Sequence, residues 1–169
     1  MDYVIGGLPL HVLLVHGTVV IIPVAALCTV LSILWPAARR RLGIVTVLIA
    51  LAALLMVPIT QAAGEWLLLR IDQTPAVSAH VTLGRALLPW VIGVFAVALG
   101  QWLWFRYGAT TAGKVRTTLG AGGSRIAAGL VVLLVLAVCG GTTAAVVQIG
   151  DTGSRAVWEG RFSEEPVLP

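Results

Sequence analysis

Charged residues are scarce in this sequence. They make up 11% of its 169 residues, whereas an ordinary soluble domain carries about 25%. Hydrophobic residues make up 59% of the chain, and the mean hydropathy is +1.00. A chain with so few charges cannot cover its surface with groups that favour water, so the composition predicts an integral membrane protein whose main partner is the lipid bilayer.

Four long stretches lack Asp, Glu, Lys and Arg altogether, at 3–38, 42–64, 86–105 and 126–150. A helix needs about 20 apolar residues to cross a bilayer, and each stretch is long enough. We therefore predict an all-α protein with one domain over 1–169, a bundle of four transmembrane helices over about 8–35, 42–64, 78–105 and 126–150. The third span includes Arg85, which must reach water or a partner. The segments 106–125 and 151–169 are predicted to be a loop and a short extracytoplasmic tail.

Acidic residues are missing from two of the predicted loops. Basic residues are present there: Arg39, Arg40 and Arg41 in the first, and Arg106, Lys114, Arg116 and Arg125 in the second. Loops rich in Lys and Arg stay in the cytoplasm, so both termini are predicted to lie on the non-cytoplasmic side, with all seven acidic residues. The net charge of +4 then follows from topology and implies no nucleic-acid partner. Ten Arg against one Lys suggests a bacterial protein, and hence the bacterial plasma membrane as its location.

Cysteines and catalytic motifs are also few. Cys28 and Cys139 fall within spans at different predicted depths, which argues against a disulfide. The sequence has no GxSxG, P-loop or HExxH motif, and Glu65 has no second carboxylate with which to share acid–base work. These absences favour a role other than catalysis.

The polar residues that do occur in the spans collect near one predicted depth, toward the outer ends of the helices. They are His11 and His16, then Thr60, Gln61 and Glu65, then His80, and finally Gln148. Polar groups in a membrane are costly, so such a layer marks a candidate functional site. His11 and His16 are separated by about 140° around the helix and about 7.5 Å along it. They cannot both face His80, and the sequence does not say which of them does.

Several of these residues stand in motifs that resemble those of a known family. The motifs are Gly7-Leu8-Pro9-Leu10-His11-Val12-Leu13-Leu14-Val15-His16, then Thr60-Gln61-Ala62-Ala63-Gly64-Glu65-Trp66, then His80 with Gly84 and Arg85, and Gly153-Ser154-Arg155-Ala156-Val157-Trp158-Glu159-Gly160. They resemble the four-helix bacterial membrane proteins catalogued as domain of unknown function 2231. In that family a proline often follows the first histidine, where this chain has Val12. The resemblance implies the architecture and no particular activity.

The first interpretation of the histidine layer is a b-type haem for electron transfer. Two neutral imidazoles on facing helices supply both axial ligands of such a haem, whose propionates seek Arg or water. His16 or His11 would pair with His80, and Arg85 or Arg70 would meet the propionates. The inner half of the bundle has no second pair of histidines, so the sequence accommodates one haem only. A membrane redox partner or a homo-oligomer would accompany this function.

Two other interpretations are open. Copper or zinc would be bound by His11, His16, His80 and Glu65, which are suitable ligand types. Alternatively, the protein is a structural or accessory membrane subunit, and its histidines only form hydrogen bonds at the membrane interface, to headgroups, water, Gln61 or Glu65. In each interpretation Thr60, Gln61 and Gln148 are supporting members of the polar layer.

Overall fold

The computed structural model describes residues 3–163. Its elements in chain order are β1 (Val4–Ile5), β2 (Leu8–Pro9), α1 (Leu10–Leu34), α2 (Pro36–Leu42), α3 (Ile44–Leu68), α4 (Pro75–Arg85), α5 (Leu87–Tyr107) and α6 (Ala109–Trp158). The two short strands pair antiparallel across a turn in which Gly6 and Gly7 both have positive φ. Three acidic residues used in the orientation argument, Asp2, Glu164 and Glu165, lie outside the described residues.

Four helical stretches are long and apolar enough to cross a membrane, and this confirms the predicted all-α class and the predicted number of long apolar helices. They are Leu10–Leu34, Ile44–Leu68, Pro75–Tyr107 and Thr111–Trp158. The third comprises α4 and α5, which meet at Ala86. It begins at Pro75 rather than near residue 78 because the Thr74 side chain accepts a hydrogen bond from the Val77 N–H, and proline suits the first helical position.

The segment predicted as a loop is largely helical, and the described part of the predicted tail begins as a continuation of the same helix. Helix α6 runs from residue 109 through residue 158, and only Gly120, with φ of 68°, departs from helical geometry within it. The prediction was wrong because basic residues and glycines keep a segment out of hydrocarbon without preventing a helix. The span between 126 and 150 is therefore the middle part of a longer, kinked helix.

Small residues fill the interior of the bundle, and large aliphatic residues cover its exterior. Ala25, Ala50, Ala53 and Ala98 are fully buried, as are the hydroxyl-bearing Thr29 and Thr142. On the outside, Val20, Leu27, Leu55, Leu130 and Leu133 are more than half exposed. Membrane helices pack through small residues and present large apolar side chains to lipid, so this distribution suits a bilayer.

Helices α5 and α6 make a tight contact at Gly141. The Trp90 ring of α5 lies where a side chain on Gly141 of α6 would stand, so any larger residue at that position would force the ring to move. The buried Thr142 next to it donates its hydroxyl to the Val138 carbonyl at 2.7 Å, which satisfies that polar group within α6.

Each long helix packs on two neighbours: α1 on α3 and α6, α3 also on α5, and α4 and α5 on α6. Within this bundle we call α1 with α3, and α4 with α6, the two helix pairs, because a histidine joins the members of each. We call the end of the bundle that contains His11, Gly64, His80 and Gly153 the histidine end. The opposite end, which contains α2, the start of α3 and the end of α5, is called the arginine end.

Candidate cofactor site at the histidine end

His11 of α1 is fixed against α3. Its Nδ1 lies 3.0 Å from the carbonyl oxygen of Thr60, to which it donates. Gly64 stands four residues after Thr60, one helical turn later. A Cβ on Gly64 would come within 3.0 Å of Cε1 and Nδ1 of His11, so the absence of a side chain there lets the ring reach the Thr60 carbonyl.

His80 of α4 is fixed against α6 in the same way. Its Nδ1 donates to the carbonyl of Ile149 at 3.0 Å, and Gly153 follows four residues after that carbonyl. A Cβ on Gly153 would stand 3.1 Å from Cε1 and Nδ1 of His80. Each helix pair therefore contains one histidine at the start of its first helix and one glycine near the end of its second.

The two histidine rings face each other across the bundle. Their centroids are 6.2 Å apart, and their planes make an angle of 79°. A carbonyl oxygen has no proton to give, so each neutral imidazole must hold its proton on Nδ1. Each Nε2 then keeps its lone pair, and this is the tautomer that binds a metal.

The spacing of the rings is compatible both with a direct ring contact and with a shared metal ion. Edge-to-face aromatic pairs have ring centres about 4.5–7 Å apart. With metal–nitrogen bonds of about 2.0 Å, two imidazoles that bound one metal ion would have ring centres about 5–6.5 Å apart. The observed 6.2 Å lies within both ranges.

Polar neighbours hold the α3 side of the site in place. The Thr60 hydroxyl donates to the Met56 carbonyl at 2.8 Å and lies 3.0 Å from the Thr18 hydroxyl of α1. Gln61 donates its side-chain amide to the Gly84 carbonyl at 2.8 Å, which joins α3 to the end of α4. The residue whose carbonyl accepts from His11 is thus itself fixed to α1.

The remaining predicted ligands do not join this pair. His16 is exposed, and its Nδ1 lies 2.6 Å from the Val12 carbonyl of its own helix. Glu65 accepts two hydrogen bonds from Arg85, at 2.8 and 3.0 Å. Arg70 stacks over the Trp66 ring and donates to the Trp66 carbonyl. Among residues 3–163, no three His, Cys, Asp or Glu side chains group closely enough to hold a metal ion, so the predicted set of three histidines and Glu65 is not assembled.

Gln148 also stays outside the histidine pair. Gln148 is exposed on α6, and its backbone carbonyl accepts a hydrogen bond from the Thr152 hydroxyl.

Two glycines that shape the site, Gly64 and Gly153, were not assigned to it from the sequence. Each glycine lies near the histidine end of a long apolar helix, four residues after the residue whose carbonyl accepts the hydrogen bond from a histidine.

Comparison with known proteins gives no relative from which a function could be transferred. No family model, no curated protein and no solved structure matches this chain. The resemblance of its short motifs to domain of unknown function 2231 stays a prediction, and a function must be argued from the site itself.

Proposed function

We propose that the protein is a multi-pass membrane protein that binds one b-type haem between His11 and His80 and takes part in electron transfer. The observation that carries this proposal is the pair of imidazoles from different helices, each anchored through Nδ1 to a backbone carbonyl, with ring centres 6.2 Å apart. A bound haem would supply one-electron redox chemistry.

The two histidines come from different helix pairs, so a cofactor bound by both would lie between the pairs. Helix α4 packs mainly against α6 and makes few contacts with α1 and α3. We therefore place the haem between α4 and the α1–α3 pair at the histidine end. Anchoring by Thr60 and Ile149 orients the rings in advance, and this reduces the entropy lost on binding.

The propionates would be met by the arginines at the same end. Arg85 is engaged by Glu65 in an exposed ion pair, with 61% and 49% of the side chains accessible, so it is available at small energetic cost. Arg70 lies on Trp66 and is exposed as well. Either guanidinium would provide the charge-assisted hydrogen bonds that a carboxylate prefers.

The visible spectrum tests this proposal. Protein purified in detergent should show a Soret band, and a sharp α-band after reduction with dithionite. His11→Ala and His80→Ala should each remove the sharp α-band and lower the amount of bound haem, because each removes one of the two imidazoles that would hold it. His16→Ala is the matched control: His16 is exposed and bonded to its own helix, so the spectrum should not change. A spectrum that requires His16 and survives His11→Ala would contradict the assignment.

The alternative is a structural or accessory subunit. It is favoured by the fact that each histidine already ties two helices together, His11 joining α1 to α3 and His80 joining α4 to α6. Two imidazoles also fall short of the ligand number that copper or zinc sites usually have. A colourless preparation that contains no copper or zinc by elemental analysis, with a lowered unfolding temperature in His11→Ala and His80→Ala, would establish this alternative.

We further propose that the histidine end faces away from the cytoplasm of a bacterial plasma membrane. The arginine end contains clustered basic residues, which favour the cytoplasmic side. Single cysteines at Gln73 and Thr118, in a chain whose Cys28 and Cys139 are replaced by alanine, test the orientation. A membrane-impermeant maleimide should label Gln73→Cys in intact cells, and Thr118→Cys only after permeabilisation. The reverse pattern would invert the topology.

A further inference from the structure

A second cavity lies at the arginine end, away from the histidine pair, with a volume of about 270 Å³. It is open to the exterior and formed by the end of α1, by α2, by the start of α3 and by the end of α5. Its lining includes Arg39, Arg40, Arg106, Gln101, Trp102 and Phe105. A site of this size accommodates a small polar headgroup.

The charge around this cavity has a single sign. The sequence has no acidic residue over 3–64 or 73–150, so the one carboxylate on the helices that line the cavity, Glu65 of α3, lies at the opposite, histidine end of the bundle. Within residues 3–163, the only salt bridges are those of Arg85 and Arg155, both elsewhere. The Arg39 guanidinium is held 3.7 Å from the centre of the Phe105 ring, which fixes one positive charge at the cavity wall. Three arginines that form no salt bridge with any described residue give this cavity a positive potential, which favours an anion.

One buried polar atom in the lining lacks a partner. Gln101 is 8% exposed, and its Nε2 donates to the Thr29 carbonyl at 3.1 Å. This bond fixes the orientation of the amide, because its oxygen would repel that carbonyl. Among the described residues the amide oxygen Oε1 has no hydrogen-bond partner. A buried acceptor in this state is costly, and a ligand with a hydrogen-bond donor would satisfy it.

We propose that the arginine-end cavity binds a phosphate ester that also carries a hydroxyl group. The arginines would hold the phosphate, and the hydroxyl would donate to Oε1 of Gln101. Two sources share this chemistry: the headgroup of phosphatidylglycerol and a free glycerol phosphate. The proposal does not depend on the haem, since it involves other residues at the other end of the bundle.

Native mass spectrometry of the full-length protein in a neutral detergent tests the site with three lipids. Phosphatidylglycerol and phosphatidylmethanol have the same charge but differ in the hydroxyl groups, and phosphatidylcholine has neither a net charge nor a donor. We expect phosphatidylglycerol to bind about tenfold more tightly than phosphatidylmethanol. Phosphatidylcholine should bind most weakly. Equal binding of phosphatidylglycerol and phosphatidylmethanol to the unsubstituted protein would overturn the role of the hydroxyl, without the need for any variant.

Substitutions separate the two contacts. Arg39→Gln and Arg40→Gln should each lower the affinity for both anionic lipids about fivefold. Gln101→Leu should lower the affinity for phosphatidylglycerol to that for phosphatidylmethanol and leave the latter unchanged. Arg41→Gln is the matched control, since Arg41 is exposed on the same short helix and does not line the cavity. If Arg41→Gln weakened binding as much as Arg39→Gln, the attraction would belong to the surface as a whole and the proposal would fail.

Competition with sn-glycerol 1-phosphate distinguishes the sources. Displacement of phosphatidylglycerol by this soluble ester, with the same dependence on Arg39 and Gln101, would identify a free phosphate ester as a ligand. Absence of displacement, together with the lipid preferences above, would identify the lipid headgroup.

Discussion

Gly153→Ala tests whether the backbone anchoring of His80 serves cofactor binding. The added Cβ would stand 3.1 Å from Cε1 and Nδ1 of the imidazole, where ordinary contacts begin at 3.4 Å. The ring must shift by a few tenths of an ångström, and this weakens its 3.0 Å hydrogen bond to the Ile149 carbonyl. Loss of such an outer hydrogen bond typically lowers metal affinity about 10-fold to 100-fold. We therefore expect a rise of that size in the dissociation constant for haem, measured by titration at the Soret band.

The stability of the fold should change much less than the affinity. Replacing glycine by alanine within a helix raises the free energy of unfolding by up to about 1 kcal/mol. The weakened hydrogen bond costs about 1 kcal/mol in the opposite direction. Gly150→Ala is the matched control: it lies one turn earlier on α6, and its Cβ would meet nothing within 4 Å. If the two variants bound haem with the same affinity while His80→Ala did not bind it, anchoring by Ile149 would have no part in ligation.

Two further substitutions test the packing and the surface of the bundle. Gly141→Ala should lower stability by about 1–3 kcal/mol, because the Trp90 ring occupies the place of the new methyl group. Gly140→Ala should not lower stability, because a Cβ there meets nothing within 4 Å. Equal unfolding temperatures of the two variants in detergent would contradict this packing. Glu65→Gln should leave both the unfolding temperature and the haem spectrum nearly unchanged, because its ion pair with Arg85 is exposed. A large loss of bound haem in this variant would show that the pair supports the site.

The number of long apolar helices could be predicted because it depends on the cost of placing a charge in hydrocarbon, and the sequence shows directly where the charges lie. A charged group in hydrocarbon is expensive, so stretches free of charge mark the spans. The ends of the helices depend on local hydrogen bonds instead. Thr74 starts α4 as a cap, and residues 111–119 continue as helix although Lys114 and Arg116 exclude them from hydrocarbon. Charge indicates where the lipid ends, and it does not indicate where a helix ends.

The candidate site was predictable in its residue types and not in its pairing. The separation of about 140° between His11 and His16 implies that only one of them faces His80, and the choice depends on the rotation of α1 about its axis. That rotation is set by where α1 meets small residues of its neighbour, such as Gly64 of α3. Apolar residues surround α1 on nearly every side, so its sequence contains no amphipathic pattern from which the rotation could be derived.

The anchoring of each histidine within its own helix pair has a consequence for assembly. Helices α1 and α3 are close in the sequence, so the first pair, with His11 in place, can form in the membrane before α4 to α6 have been synthesised. The second pair likewise sets His80 from its own residues. The contacts of α1 with α6 and of α3 with α5 then bring the two pairs together without any cofactor. Haem would be the last group to arrive, and it would meet two histidines that protein contacts alone had already placed.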